Sequence, residues 1–531
     1  MIRRLLAAVS VAAAVAIAQS APLNHPIVTH NTAAQADFDR GLSLIYAFNF
    51  KAAEHAFQQA AELDPTEAMP YWGMALALGP NLNARRPSPL AEQAATNALA
   101  RASELAAQLP GGAPADEERG LIAALQLRLS CDPEPAFGRL EQAYGAAMQS
   151  LSARFPDDPD VATLSAESMM EQRSWAQWVG GNAAGPSSGK ILAALQAILR
   201  RWPNHLGANH FYIHAAESAG TPALALDSAA RIENLARGIP GGGHLLHMPA
   251  HVYLRTGQYA EAERAGLAAA AADRAYVHAH PDDADYTSMY LPHNLSFLIF
   301  AASMDGDYAV AMDAARQISR DAQLGEASGN AAAAAVPISL LVQFGQWGEI
   351  QALPAPDGRL EFADNVWWHY ARASAFAASG DLQSALAESR AMDRAVPARP
   401  MANAATLPKQ AVMIHLRALL TARIAVARGN WDLAASQLAS AVAVEEKIPL
   451  ADPPRWPPLY PQLGAALLRA GKPEQALAIV RQGLVRFPGD PRGYFVLAEA
   501  YTQLGKRLDA DSARNQYLHL WKGSPLTLAD F

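Results

Sequence analysis

Fifteen histidines occur in 531 residues, and nine of them fall between positions 205 and 293. Two pairs have the form H-x-x-x-H: His210 with His214, and His247 with His251. An i, i+4 spacing puts both rings on one side of a helix. That is a common way for a helix to present two imidazoles to one metal ion. Imidazole without thiolate suits zinc, copper, iron or nickel. Thiolate is excluded as a shared donor because the chain has one cysteine, Cys131. The same count rules out a disulfide framework and any C-x-x-C metal, redox or haem motif within one chain.

The elements that carry these histidines follow from the periodicity. The sequence is rich in Ala and Leu, has few strand-like alternations, and shows helix-period patterns punctuated by Gly and Pro. Residues 38–65, with the core GLSLIYAFNFKAAEHAFQQAAELDP, form the best example. A turn signature of Gly, four residues, then Ala recurs at Gly220, Gly257, Gly306, Gly380, Gly429, Gly471 and Gly505, with a weaker copy at Gly345. The segment and the signature resemble the tetratricopeptide repeat, a 34-residue helix-turn-helix unit with small residues where its helices touch. The resemblance covers most of the chain beyond the N-terminal segment. It implies an all-α, right-handed superhelical solenoid in which stacked hairpins bury a continuous core and leave a concave face. The pattern also resembles large exported bacterial tetratricopeptide proteins with a histidine-rich middle, a resemblance that implies no particular activity.

The resemblance also implies a register. Tetratricopeptide proteins line the concave face with positions 2, 5, 9, 12 and 13 of each first helix. With the turn glycine as position 15, His210 and His214 take positions 5 and 9. His247 and His251 take positions 5 and 9 of the next repeat. His244 and His293 each take position 2. Six histidines on three neighbouring helices thus face one way, where chance would place about 0.4. Packed helices lie about 8–10 Å apart, close enough for rings from both sides to share an ion. The six could form one four-ligand site with two spare, or two three-histidine sites side by side, an arrangement similar to coupled dicopper centres. Glu217 could add a carboxylate or hold a ring, and Tyr290 and Asn294 could orient rings or meet a substrate, as could Asn209, Tyr212 and Tyr253. Pro249 lies inside the second pair and can kink its helix.

Competing readings attach to the same residues. A groove lined by His, Asn and Tyr could bind a protein, a peptide or a small molecule by hydrogen bonds, without metal. Some of the histidines could be satisfied core residues between repeats. His205, His278 and His280 fall off the register and read as loop residues. His25, His30, His55, His369, His415 and His519 show no grouping. Asn81 and Asn83 read as turn formers. Arg173, beside Trp175 and Trp178, reads as helix packing with a solvated cation, and Trp367 to Tyr370 as inter-repeat packing.

Composition narrows the class. Lys plus Arg is 42 against 50 Asp plus Glu, a net charge of -8, without the basic footprint of a general nucleic-acid binder. There is no nucleophile elbow, Walker loop or dinucleotide fingerprint. Residues 1–20 carry Arg3 and Arg4, an apolar run from Leu5 to Ala18, and the small-x-small step Ala16-Ile17-Ala18. This is the pattern of a secretory signal peptide. It predicts a periplasmic or secreted protein with no membrane span after cleavage. An exported protein with an all-histidine donor set favours copper over zinc. The expected organisation is repeats over 31–178, histidine-rich repeats over 190–320 and C-terminal repeats over 321–531.

Overall fold

A computed structural model describes residues 23–83, 86–129, 137–172, 186–284, 286–324, 335–355, 362–395, 406–447, 453–454 and 457–531. The signal segment, Cys131, Arg173, Trp175 and Trp178 lie outside these residues, as does most of the glycine-rich stretch between the first two expected repeat blocks. Among the described residues there are 24 α-helices and no strand. None of those helices is long and apolar enough to cross a membrane.

The helices form hairpins that pack in chain order. The first pairs Thr32–Tyr46 with Phe50–Leu63. Gly41 and Gly73 lie against the Phe57 ring, where an added Cβ would come within 2.6 and 2.5 Å of ring carbons. Small residues are therefore needed where these helices cross. Later hairpins turn where the Gly signature placed them: Phe362–Ala378 with Leu382–Arg394, Thr406–Ala427 with Trp431–Lys447, Tyr460–Arg469 with Pro473–Arg486, and Pro491–Gln503 with Arg507–Leu520.

Three hairpins carry the histidines. Leu206–Ser218 leads through a short 3-10 turn into Leu226–Leu235, Gly243–Thr256 pairs with Tyr259–Ala279, and Leu291–Asp305 pairs with Tyr308–Leu324. Their first helices touch one another in sequence, 206–218 on 243–256 and 243–256 on 291–305. The helix Gly243–Thr256 runs through Pro249 without interruption. It ends at Gly257, whose φ of 80° is a left-handed cap.

A plain solenoid brings together only neighbouring repeats. This chain does more. The turn after Tyr46 reaches residues some two hundred positions away: Asn49 donates to the Gly241 carbonyl at 3.2 Å and accepts from the Tyr276 hydroxyl at 3.2 Å. Helix Thr32–Tyr46 also packs on helix Leu206–Ser218, where Gly207 leaves room for the Tyr46 ring. At the other end, Arg492 donates to the Ser303 carbonyl at 2.8 Å, and Lys522 Nζ lies 2.7 Å from Asp305 and 3.0 Å from Glu263. The first hairpin and the C-terminal helices thus both close against the histidine-bearing hairpins, and one apolar cluster runs from Ile27 to Met304 and on from Ala418 to Ala513.

Candidate metal centre

Spacing along each helix sets which rings can meet. His210 and His214 are one turn apart on 206–218. His244, His247 and His251 follow an i, i+3, i+7 stripe on 243–256, so all three share a face. His293 stands in the first turn of 291–305. The six rings gather into two trios. In each trio the three ligand nitrogens lie within 4.8 Å of one another: His210, His214 and His244 in one, His247, His251 and His293 in the other. The trios adjoin, with ring centroids 5.3 Å apart for His214 and His251 and 5.2 Å apart for His244 and His247. His214 and His251 also form a third such group with Glu217, so that carboxylate stands against both trios.

The closest approaches run through one pair of nitrogens in each trio. His210 Nε2 is 3.2 Å from His244 Nε2, and His247 Nε2 is 3.0 Å from His251 Nε2. The protein fixes the tautomer of one member of each pair. His210 Nδ1 donates to the Tyr46 carbonyl at 2.7 Å, so its Nε2 carries the lone pair. His251 Nδ1 faces Glu217 Oε2 at 2.7 Å, which leaves Nε2 of that ring as the lone-pair atom too. Nδ1 of His244 and of His247 is buried with no hydrogen-bond partner, and without an ion the contact to the His210 lone pair makes His244 Nε2 the donating nitrogen. Two nitrogens bound tetrahedrally to one ion at about 2.0–2.1 Å stand about 3.3–3.4 Å apart, close to both separations.

Four of the six rings are kept neutral. Burial drives the pKa of His210 down to about 3, against the pull of the Tyr46 carbonyl. Burial, with neighbouring imidazoles adding to it, holds His214, His244 and His247 well below the ordinary histidine value. Neutral imidazole is the form that ligates metal. His210 and His247 are 0% exposed, while His293 is half-buried at the edge.

Each trio has its own aromatic wall. The Phe297 centroid lies 4.6 Å from His247, 4.3 Å from His251 and 5.0 Å from His293. Phe48 lies 4.5 Å from His210, 5.0 Å from His244 and 6.0 Å from His214. Phe48 stands five residues before the buried Ala53, as Gly257 stands before Ala262. It adopts the same left-handed backbone, with φ 56°. That conformation costs an ordinary L-residue roughly 1–2 kcal/mol. The strained turn is what projects this ring over the first trio. Neither phenylalanine was singled out in the sequence, although a bulky residue at a turn-glycine position was a visible signal.

The supporting residues divide. Glu217 holds the His251 ring and itself receives Arg255 Nε at 3.2 Å. Tyr290 stands 5.8 Å from the His244 ring, and its hydroxyl accepts from Asn83 at 3.0 Å. Asn83 also closes a turn onto Asn81, so the turn reading holds and Asn83 reaches the site as well. Asn294 turns its amide nitrogen to Asp273, at 2.9 Å, rather than to a ring. Tyr212 is engaged by Gln196 and Asn209 by the His205 carbonyl. His205 is no loop residue: it is buried and caps helix 206–218 through Nδ1, while Nε2 meets Asp160 at 3.0 Å. His280 packs on Tyr276 away from the trios. Two residues read as ungrouped are not: His369 pairs with Glu388 at 2.7 Å, and His25 lies among carboxylates. Their partners are remote in sequence, which no local spacing could reveal.

Comparison with known proteins bears on the fold. Residues 457–524 match the family model described as tetratricopeptide repeat. No curated protein matches the sequence. Among solved structures, a human IFIT1 dimer with m7Gppp-AAAA is 13% identical, over 85% of this chain and 90% of that one, with a TM-score of 0.29. The APC/C hetero-tetramer Cut9-Hcn1 is 13% identical over 92% and 87%, at 0.29. Naa15/Naa10 bound to HypK-THB is 12% identical over 93% and 89%, at 0.25.

Proposed function

We propose that this repeat protein binds two transition-metal ions side by side, one in each histidine trio, with copper favoured over zinc. The observation that carries the reading is the pair of Nε2 contacts at 3.2 and 3.0 Å, each with one ring's tautomer pinned from behind. Six imidazoles and no thiolate suit copper or zinc, and an exported protein meets copper in an oxidising compartment. Three protein ligands leave a position open on each ion. A copper pair held by His210, His214 and His244 on one side and His247, His251 and His293 on the other would supply one-electron redox chemistry at each ion. The buried aromatic walls and neutral rings favour a small uncharged molecule over a charged one at those positions. Elemental analysis of the untagged protein, purified with copper and zinc supplied, tests the reading. Two equivalents of copper are expected in the wild type, and loss of both in a His210→Ala, His247→Ala double variant. Full metal retention by that variant would overturn it.

The tetratricopeptide match at 457–524 supports a second role, as an interaction scaffold for a protein or peptide. Peptide binding that persists after chelation is its signature, and loss of all binding on chelation counts against it.

A further inference from the structure

His25 is 3% exposed and lies far from the two trios in sequence. Its backbone is tied down by helix Thr32–Tyr46: the His25 N–H donates to Asp39 at 2.9 Å, and Gln35 donates to the His25 carbonyl at 2.8 Å. The ring is thereby set among three carboxylates from two other helices. His25 Nδ1 lies 3.3 Å from Asp160 Oδ2 and 3.5 Å from Asp158 Oδ2, and Nε2 lies 3.8 Å from Glu117 Oε1. Nδ1 is buried between the two aspartates and within ion-pair distance of both, yet makes no well-directed hydrogen bond to either.

We propose that His25, Asp158, Asp160 and Glu117 form a separate site for a divalent first-row cation of the manganese or zinc type. The spacing supports it. Ligand atoms held at about 2.1 Å from one tetrahedral ion stand about 3.4 Å apart, midway between the two Nδ1 separations. One ligand atom from each of His25, Glu117 and Asp158 can be chosen so that all lie within 4.8 Å of one another. The donor set is one nitrogen and several hard oxygens, unlike the all-imidazole trios, so it selects a harder ion. Charge supports it as well. A single imidazolium offsets only one of three carboxylates here. A divalent cation supplies the missing positive charge.

The remaining oxygens are already committed in ways that suit a ligand role. Asp158 Oδ1 accepts from the Val161 N–H at 2.7 Å, leaving Oδ2 for an ion. Asp160 Oδ1 accepts from the Tyr46 hydroxyl at 2.7 Å and meets His205 Nε2 at 3.0 Å. A bound ion would therefore tie the segment before the first helix to the residue whose carbonyl orients His210. Binding requires neutral His25, so the ring proton leaves to solvent as the ion enters.

The test uses the full chain stripped of metal and titrated with manganese(II) alone, followed by the loss of the free-ion paramagnetic signal. One equivalent is expected to bind, with proton release. The His210→Ala, His247→Ala variant should bind it equally, since neither substituted residue touches His25 or its carboxylates. An Asp158→Asn, Glu117→Gln variant should weaken binding by at least about tenfold. Unchanged copper loading of the trios shows that this variant is folded, and Glu117→Gln alone serves if the pair is not tolerated. No binding by the wild type, or undiminished binding by the carboxamide variants, would overturn the site and leave His25 as a buried ion pair only.

Discussion

Glu217 Oε2 lies 2.7 Å from His251 Nδ1, and Arg255 Nε donates to the other oxygen of the same carboxylate at 3.2 Å. Arg255 stands one turn after His251 on the same helix, so the guanidinium braces the carboxylate that braces the ring. The arrangement fixes the tautomer and raises the basicity of His251 Nε2. Partners of this kind are worth about 10–100-fold in metal affinity. Glu217→Gln should lower copper affinity by that factor in the second trio and leave the first unchanged. Competition titration against a chromophoric chelator, with the two sites resolved, measures it. Equal weakening of both sites would refute the separation into trios.

Single substitutions test the same separation by count. His244→Ala should cost one equivalent of copper, and His293→Ala the other, by elemental analysis of the folded proteins. A single site with four ligands would lose everything or nothing from each change.

Phe48 holds a left-handed conformation where other hairpins have glycine. Phe48→Gly relieves that strain but removes a ring that is 2% exposed. Loss of a buried Phe side chain costs about 3–5 kcal/mol and outweighs a strain of about 1–2 kcal/mol. The variant should be less stable by a net of about 1–4 kcal/mol in chemical denaturation. It should keep its copper stoichiometry while releasing copper to an external chelator faster, because the first trio loses its cover. Unaltered release would mean that the ring does not guard the site.

Acid should affect this centre later than an exposed one. A solvent-exposed histidine pair yields its metal as the pH falls through about 6.5. Burial sets His210 at about 3. Copper should therefore stay bound after dialysis at pH 5, read by elemental analysis. Loss with a midpoint near 6.5 would show the rings to be solvated.

His25 should behave in the opposite sense. Burial works against its charge, but Asp160, Asp158 and Glu117 raise its pKa to about 9. A raised pKa means that the folded state binds the proton more tightly than the unfolded state. Its stabilisation is complete below about 6.5 and is lost as the pH rises through about 9. In metal-free protein, His25→Gln should cost about 3 kcal/mol at pH 6, as expected for breaking a buried ion pair. The gap from wild type should shrink by pH 10, in denaturation curves run at both values. A gap independent of pH would show that His25 is not charged in the fold.

Much of the architecture was legible along the chain. The turn signature marked seven strong positions, and helices Leu206–Ser218 and Gly243–Thr256 each show the histidine stripe that i, i+3, i+4 spacing requires. The six aligned histidines could be named because facing on a helix is a local property, fixed by 3.6 residues per turn. Glu217 was legible for the same reason, one turn beyond His214. Residues 1–20, read as an export signal, rest on the sequence alone.

What the sequence by itself determined is therefore the helical repeat pattern and the face on which each of the six aligned histidines stands. Only the tertiary structure decided which rings share a trio, that Phe48 and the Tyr46 carbonyl close the first of them, and that His25 meets Asp158 and Asp160. The physical reason is that these contacts join different helices, 34 positions apart for His210 and His244 and well over a hundred apart for Tyr46 with His210 and His25 with Asp158. Their meeting depends on how the stacked hairpins curve and on the first hairpin and the C-terminal helices packing back against the middle. Periodicity fixes direction within one helix but carries no information about what stands opposite it.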